Sequence, residues 1–196
     1  MSSKSFATAL IACGLAIGLT STYATFANAQ DAMKSEKTVM VGGAAMYPSK
    51  NIVENAVNSR DHTTLVAAVK AAGLVDTLEG PGPFTVFAPT NEAFGKLPKG
   101  TVATLVKPEN KATLTNILTY HVVPGRLTAA DLDQMVRDGH GKAMLKTVEG
   151  GSLTVERKGG RLEIIDAKGG HSFVTIGNVM QSNGVIHVVN KVLMPG

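Results

Sequence analysis

The last third of the chain constrains the fold most. Ala143 to Val148, Leu153 to Arg157 and Arg161 to Asp166 are short β-type runs, separated by Glu149-Gly150-Gly151 and Lys158-Gly159-Gly160. Glycine supplies the positive φ that tight hairpins need, so this spacing predicts neighbouring antiparallel strands. Phe173 to Ile176 and Val185 to Leu193 follow. The second of these is nearly all apolar, which predicts a strand buried on both faces. An earlier, isolated strand is expected from Phe84 to Ala88, stopped by Pro89.

The middle of the chain carries the helical period instead. Ile52, Val53, Ala56 and Val57 share one helical face. Asp61 suits the N-cap of a second helix, in which Leu65, Val69 and Ala72 recur at helical spacing before Gly73 stops it. Pro108 and Glu109 suit the first turn of another, with Leu114, Ile117 and Leu118 inward, and Thr128 can cap a short helix from Ala129 to about Val136. Helices first and strands later predict an α+β fold built on an antiparallel sheet. No internal repeat is visible, which excludes solenoids and propellers.

The first 29 residues read as a signal peptide. Lys4 gives a positive start, Phe6 to Leu19 is apolar and almost uncharged, and Ala27-Asn28-Ala29 matches the small-x-small pattern cut by signal peptidase. The apolar run is shorter than the roughly 20 residues a spanning helix needs. Cleavage after Ala29 and export to the periplasm or the exterior are therefore expected, with no transmembrane anchor in the mature chain. Leu10-Ile11-Ala12-Cys13 also resembles a lipoprotein cleavage box, which keeps acylation at Cys13 as a minor alternative. Cleavage at Ala29 removes the only cysteine, and with it disulfide, thiol-nucleophile and thiolate-metal chemistry. It removes one basic residue and no acid from a chain of net charge +4. The remaining cations are scattered, so nucleic-acid binding is not expected. Residues 30–48 form an N-terminal segment whose Val39 to Tyr47 is a small apolar patch, expected to tuck against the domain.

Three boxes carry more information. Gly82-Pro83-Phe84-Thr85-Val86-Phe87-Ala88-Pro89-Thr90-Asn91-Glu92-Ala93-Phe94 is a strand, a proline stop and a helix start that Thr90 or Asn91 can cap. Leu118-Thr119-Tyr120-His121-Val122-Val123-Pro124-Gly125 runs a helix into a strand through two residues with apolar rings and polar tips, suited to sealing a core. Ser182-Asn183-Gly184-Val185-Ile186-His187-Val188-Val189-Asn190-Lys191-Val192-Leu193-Met194-Pro195 opens the last strand with a turn signal. In order and spacing these boxes resemble the fasciclin domain, over residues 49–195. The resemblance implies a wedge-shaped β-sandwich with several packed helices, and work as an extracellular adhesion and interaction module. It also implies partner contact through Tyr120, His121, Asn178, Val179 and Met180, positions matching those linked to integrin contact in animal relatives. Those relatives typically carry an Asp at the place of Asn178, and no acid follows here to the last residue, so integrin binding is not carried over.

Catalytic readings fail on context. No two histidines lie within four residues, HExxH is absent, and Asp131-Leu132-Asp133-Gln134-Met135-Val136 puts Met and Val where a calcium loop needs a ligand and a glycine. Gly170-His171-Ser172-Phe173-Val174 and Met180-Gln181-Ser182-Asn183-Gly184 each lack one glycine of a nucleophile elbow. Asp131 and Asp133 read as a solvated first helical turn, His121 and His187 as structural residues, and His62, His140 and His171 as surface. The sequence therefore predicts a non-enzymatic module without cofactor or metal, binding a macromolecular partner at a cell surface or in the extracellular matrix. The alternative is a carrier of a small apolar ligand, since some fasciclin-like proteins hold molecules such as carotenoids. Val39 to Tyr47 and the eight methionines could supply adaptable apolar surface for it.

Overall fold

The computed structural model describes residues 37–196. The signal peptide, Cys13 and the cleavage point after Ala29 lie outside the described residues. Chain order is β1 (Val39–Val41), β2 (Ala44–Met46), α1 (Ile52–Ala56), α2 (Thr63–Ala72), α3 (Val75–Glu79), β3 (Phe84–Pro89), α4 (Asn91–Gly95), α5 (Thr101–Leu105), α6 (Lys111–Tyr120), β4 (Val122–Pro124), α7 (Ala129–Asp138), β5 (Lys142–Lys146), β6 (Ser152–Lys158), β7 (Arg161–Ile165), β8 (His171–Gln181) and β9 (Gly184–Val189). Single 3-10 turns at Arg60–His62 and Pro108–Asn110 lead into α2 and α6.

The large sheet has the order β4-β3-β9-β8-β7-β6-β5, and β1 pairs with β2 in a separate hairpin. β5 to β9 form an antiparallel meander, as the glycine turns predict. One pairing departs from the expected antiparallel sheet: β3 lies parallel to β9, in register from Phe84 opposite Gly184 to Pro89 opposite Val189. A parallel neighbour needs a long connection, and the whole run from α4 through β8 supplies it. β8 is much longer than the Phe173 to Ile176 run. Its start pairs with β7, and its remainder, interrupted by two bulges between Val174 and Val179, pairs with β9. Bulges bend a strand, which lets β8 belong to both halves of the sandwich.

β9 is buried at all six positions and separates two cores. On one side, Val86, Ala88, Ile186 and Val188 pack against Ile52, Leu65, Val69, Leu114 and Leu118 from the helices. On the other, Phe87 and Val189 join Leu132 and Val136 of α7 and the inward residues of β5 to β7, including Leu145, Leu153, Val155 and Ile164. The outward neighbours on these strands, such as Lys142, Met144 and Lys146, are exposed, which is the period-two pattern of a one-sided sheet. The Val39 to Tyr47 patch tucks in as expected: Val41 and Met46 are both buried in the helical-side core.

Two helix starts show how far local signals reach. Thr128 caps α7 in a full capping box with Asp131, whose Oδ2 accepts the Thr128 N–H at 2.8 Å. Asp61 does not cap α2. It lies inside the 3-10 turn, and the N–H of Thr64 is instead taken by Asn91 Oδ1 at 2.9 Å, from the first turn of α4. Asn91 also donates to the Arg60 carbonyl at 2.8 Å. Thr90, its neighbour, caps α4 itself by accepting the N–H of Ala93.

Candidate functional site

The tyrosine–histidine box lies inside the molecule. Tyr120 ends α6 and is fully buried; its hydroxyl donates to the Ser152 carbonyl at 2.7 Å and accepts the Ala167 N–H at 2.9 Å. One phenol thus ties α6 to β6 and to the turn after β7. Burial pushes its pKa up, the bond from Ala167 opposing.

His121 is 2% exposed and uses both ring nitrogens. Nδ1 donates to the Ile117 carbonyl at 2.8 Å, and Nε2 accepts the Leu193 N–H at 2.9 Å. The second bond fixes the tautomer, because Nε2 must be unprotonated to accept. Burial accordingly lowers the His121 pKa to about 4, with the Ile117 carbonyl and Asp166 opposing. Asp166 continues the clamp: Oδ2 accepts the Met194 N–H at 3.0 Å, and Oδ1 accepts the N–H groups of Lys168 and Gly170. The second box therefore grips the C-terminal tail of the third.

Asn183 joins the first and third boxes. Its backbone carbonyl accepts the Phe84 N–H at 3.0 Å, and its side chain bonds the Ile52 N–H and the carbonyls of Leu78 and Gly80. Backbones crowd here. A Cβ on Gly184 would sit 2.1 Å from the Phe84 carbonyl oxygen, and one on Gly82 (φ +58°) 2.2 Å from that of Asn183. Glycine at both positions is a steric requirement.

The residues from Asn178 to Met180 sit on β8 beside its bulges. Val179 is 1% exposed and belongs to the helical-side core. Asn178 is exposed at φ +58°, and its Oδ1 accepts the N–H of Ala129 at the start of α7 at 2.7 Å. Met180 is half-buried. His121 and Val179 both line one apolar cavity, of about 70 Å³, between the helices and β3, β9 and β8. Asn178 and Met180 instead line an open groove of about 660 Å³ together with Lys37, Thr38, Val39, Pro48, Arg126, Gly177, Gln181 and Ser182. Burial thus removes Tyr120, His121 and Val179 from direct partner contact, and leaves Asn178 and Met180 on the surface.

The other histidines divide between core and surface. His187 is buried on β9, stacked on Phe87 and bonded through Nε2 to the Leu127 carbonyl at 2.8 Å. His62 is not a surface residue, contrary to its loop-like sequence context. The 3-10 turn swings the ring inward, 3% exposed, with Nδ1 on Ser59 Oγ at 2.9 Å. Burial lowers the pKa of both. Asp131 is spent on the α7 cap, and Asp133 on a two-bond pair with Arg157 at 2.6 and 2.7 Å. Among the described residues no cluster of three or more His, Cys, Asp or Glu could hold a metal ion. No described helix is long and apolar enough to cross a membrane.

The chain resembles known proteins over the same segment. The Fasciclin domain family model matches residues 60–195. Protein sll1483 of Synechocystis sp. is 47% identical over 161 residues, covering 82% of each chain. Immunogenic protein MPB70 of Mycobacterium bovis is 38% identical over 145 residues, 71% of this chain and 66% of that protein. Among solved structures, a FAS1 domain pair from the insect cell adhesion molecule Fasciclin I superposes with a TM-score of 0.67 at 22% identity. That match covers 76% of this chain and 52% of the longer insect chain. The class is thus an α+β fasciclin fold with a buried tyrosine–histidine clamp. The chain belongs to the fasciclin domain family.

Proposed function

We propose that this protein is a non-enzymatic, exported interaction module that binds a macromolecular partner at a cell surface or in the extracellular matrix. The observation that carries the reading is how the polar residues of the second and third boxes, and Asp166 beside them, are used. Tyr120, His121, Asp166 and Asn183 are engaged in hydrogen bonds that fasten the chain's own segments together. These four side chains are committed to the scaffold, and none of them is a free nucleophile or base. Two further facts support the reading: the family match and the likeness to a domain pair from a cell adhesion molecule. The contact surface in this reading is the outer groove around Asn178 and Met180, while Tyr120, His121 and Val179 are buried in the scaffold and make no contact with the partner.

The test is a titration of labelled protein onto cells of the producing organism and onto host or matrix surfaces, with unlabelled protein as competitor. Saturable, competable binding is expected. Turnover of a substrate by the purified protein, lost on changing a single residue, would overturn the reading.

The carrier reading has its own observation, the apolar cavity walled by Ile52, Leu65, Val69, Val86, Val179 and Ile186. It stands second because about 70 Å³ is under half the ~150 Å³ of an engineered cavity that takes up benzene. A carotenoid is far too long for it. Protein from the native host should be colourless and give a ligand-free native mass spectrum; a stoichiometric apolar adduct would reverse the order of the two readings.

A further inference from the structure

We infer that the groove walled by Lys37, Val39, Pro48, Arg126, Asn178 and Met180 docks an extended acidic peptide segment of a partner protein. The inference rests on the interaction reading above and names the partner's chemistry.

Charge comes first. Arg126 is exposed and projects its guanidinium across the groove, where Nη2 donates to the carbonyls of Gln181 and Ser182 at 3.1 and 3.0 Å. These are its only hydrogen bonds among the described residues, so Nε and Nη1 keep N–H donors for a carboxylate. Lys37 lies on the same groove, and no described carboxylate pairs with either cation. The acid nearest Arg126 in sequence, Asp131, is turned into the α7 capping box. From Ala167 to the last residue there is no Asp or Glu. The groove is therefore cationic and its positive charge is unanswered among the described residues.

Rigidity comes second. Arg126 is held in place by backbone carbonyls whose segment is itself fixed. Gln181 is 1% exposed and accepts a hydrogen bond from Asn55 Nδ2, and the N–H of Ser182 donates to the Lys50 carbonyl at 2.9 Å. A preset donor lowers the entropy cost of binding.

Shape and polarity then select the occupant. The groove is open to solvent along its length, which suits an extended segment rather than an enclosed small molecule. Val39, Pro48 and Met180 give it an apolar strip beside the cations. Alternating acidic and apolar side chains of an extended peptide fit both, whereas a polysaccharide has no apolar side chains to cover the strip. An anionic membrane is recognised by clusters of about four to eight basic residues, and among the described residues two cations, Lys37 and Arg126, line this groove.

The test uses the chain expressed from Gln30, which includes every described residue, and a fluorescein-labelled hexapeptide of alternating glutamate and valine. The same peptide with lysine or glutamine in place of glutamate is the control. Fluorescence anisotropy should show saturable binding to the glutamate peptide alone, weakening as salt rises. Arg126→Glu and, separately, Lys37→Glu should each weaken it roughly tenfold or more, since reversal replaces attraction by repulsion. Lys37→Glu breaks no hydrogen bond among the described residues, so it keeps the test decisive if Arg126→Glu melts early. Absence of binding, equal binding of the three peptides, or undiminished binding by both variants would overturn the proposal. Titration of the variants onto cells separates the two levels. Surface binding that survives both charge reversals leaves the interaction reading standing and removes the groove; no surface binding by the wild type removes the interaction reading itself.

Discussion

Acidification should unfold this protein through His121, and the size of the effect follows from its surroundings. In the folded state burial holds the ring neutral with a pKa of about 4, against about 6.5 for a solvated histidine. The unfolded state therefore binds the proton more tightly. The stability His121 contributes is complete above about pH 6.5 and is lost as pH falls through the window down to about 4. One pKa unit is about 1.4 kcal/mol, so the whole window is worth about 3 kcal/mol, of which about 2 kcal/mol is lost by pH 5. That is a large fraction of the ~5–15 kcal/mol that holds a typical domain. Protonation also removes the acceptor for the Leu193 N–H, leaving Asp166 to hold the C-terminal tail through the Met194 N–H. The assay is urea unfolding at pH 7.5 and pH 5.0 for wild type and His121→Gln. His62 and His187 are also lowered by burial and contribute to the pH dependence of both proteins, so the comparison isolates His121. The variant should be less stable at pH 7.5 but lose about 2 kcal/mol less than wild type on acidification. An equal loss in the two proteins would refute the reasoning.

Other substitutions are expected to rank by burial and bond count. Asn183→Ala removes three side-chain hydrogen bonds and leaves the carbonyls of Leu78 and Gly80 and the N–H of Ile52 short of partners; a loss of about 3 kcal/mol or more is expected in thermal or urea melts. Tyr120→Phe keeps the ring but loses both bonds of the hydroxyl, and should cost about 1–3 kcal/mol by the same measurement. Arg157→Ala breaks a half-exposed pair with Asp133 and should cost no more than about 1 kcal/mol, shrinking further in high salt.

Local patterns made the elements of this fold legible, and distant partners set what they left out. The paired glycines marked the hairpins because positive φ is a property of one or two residues. The apolar run from Val185 marked a central strand because β9 is covered on both faces. Sequence spacing carries no trace of the parallel pairing of β3 with β9, which depends on a register between segments about a hundred residues apart. The cap of α2 was misplaced for the same reason: Asp61 is the local candidate, but Asn91 approaches through the tertiary fold. His62 looked like a loop residue because nothing nearby shows that a 3-10 turn points its ring inward. At the site, Tyr120 and His121 were legible as residues that seal the core, while their distant backbone partners, Ser152, Ala167 and Leu193, were not. Arg126 and Lys37 carried no motif; the one signal was the lack of acid after Asp166, which leaves the groove's cations unanswered among the described residues.

The central claim is that the tyrosine–histidine box supports the molecule from within while the outer groove makes the contact. The most direct test compares surface-binding isotherms at pH 7.5 for wild type, His121→Gln and Arg126→Glu, each shown by circular dichroism to be folded at the assay temperature. The account predicts that His121→Gln binds with wild-type affinity despite a lower melting temperature, whereas Arg126→Glu binds roughly tenfold more weakly or not at all. Loss of affinity in a folded His121→Gln protein, with Arg126→Glu unchanged, would contradict it.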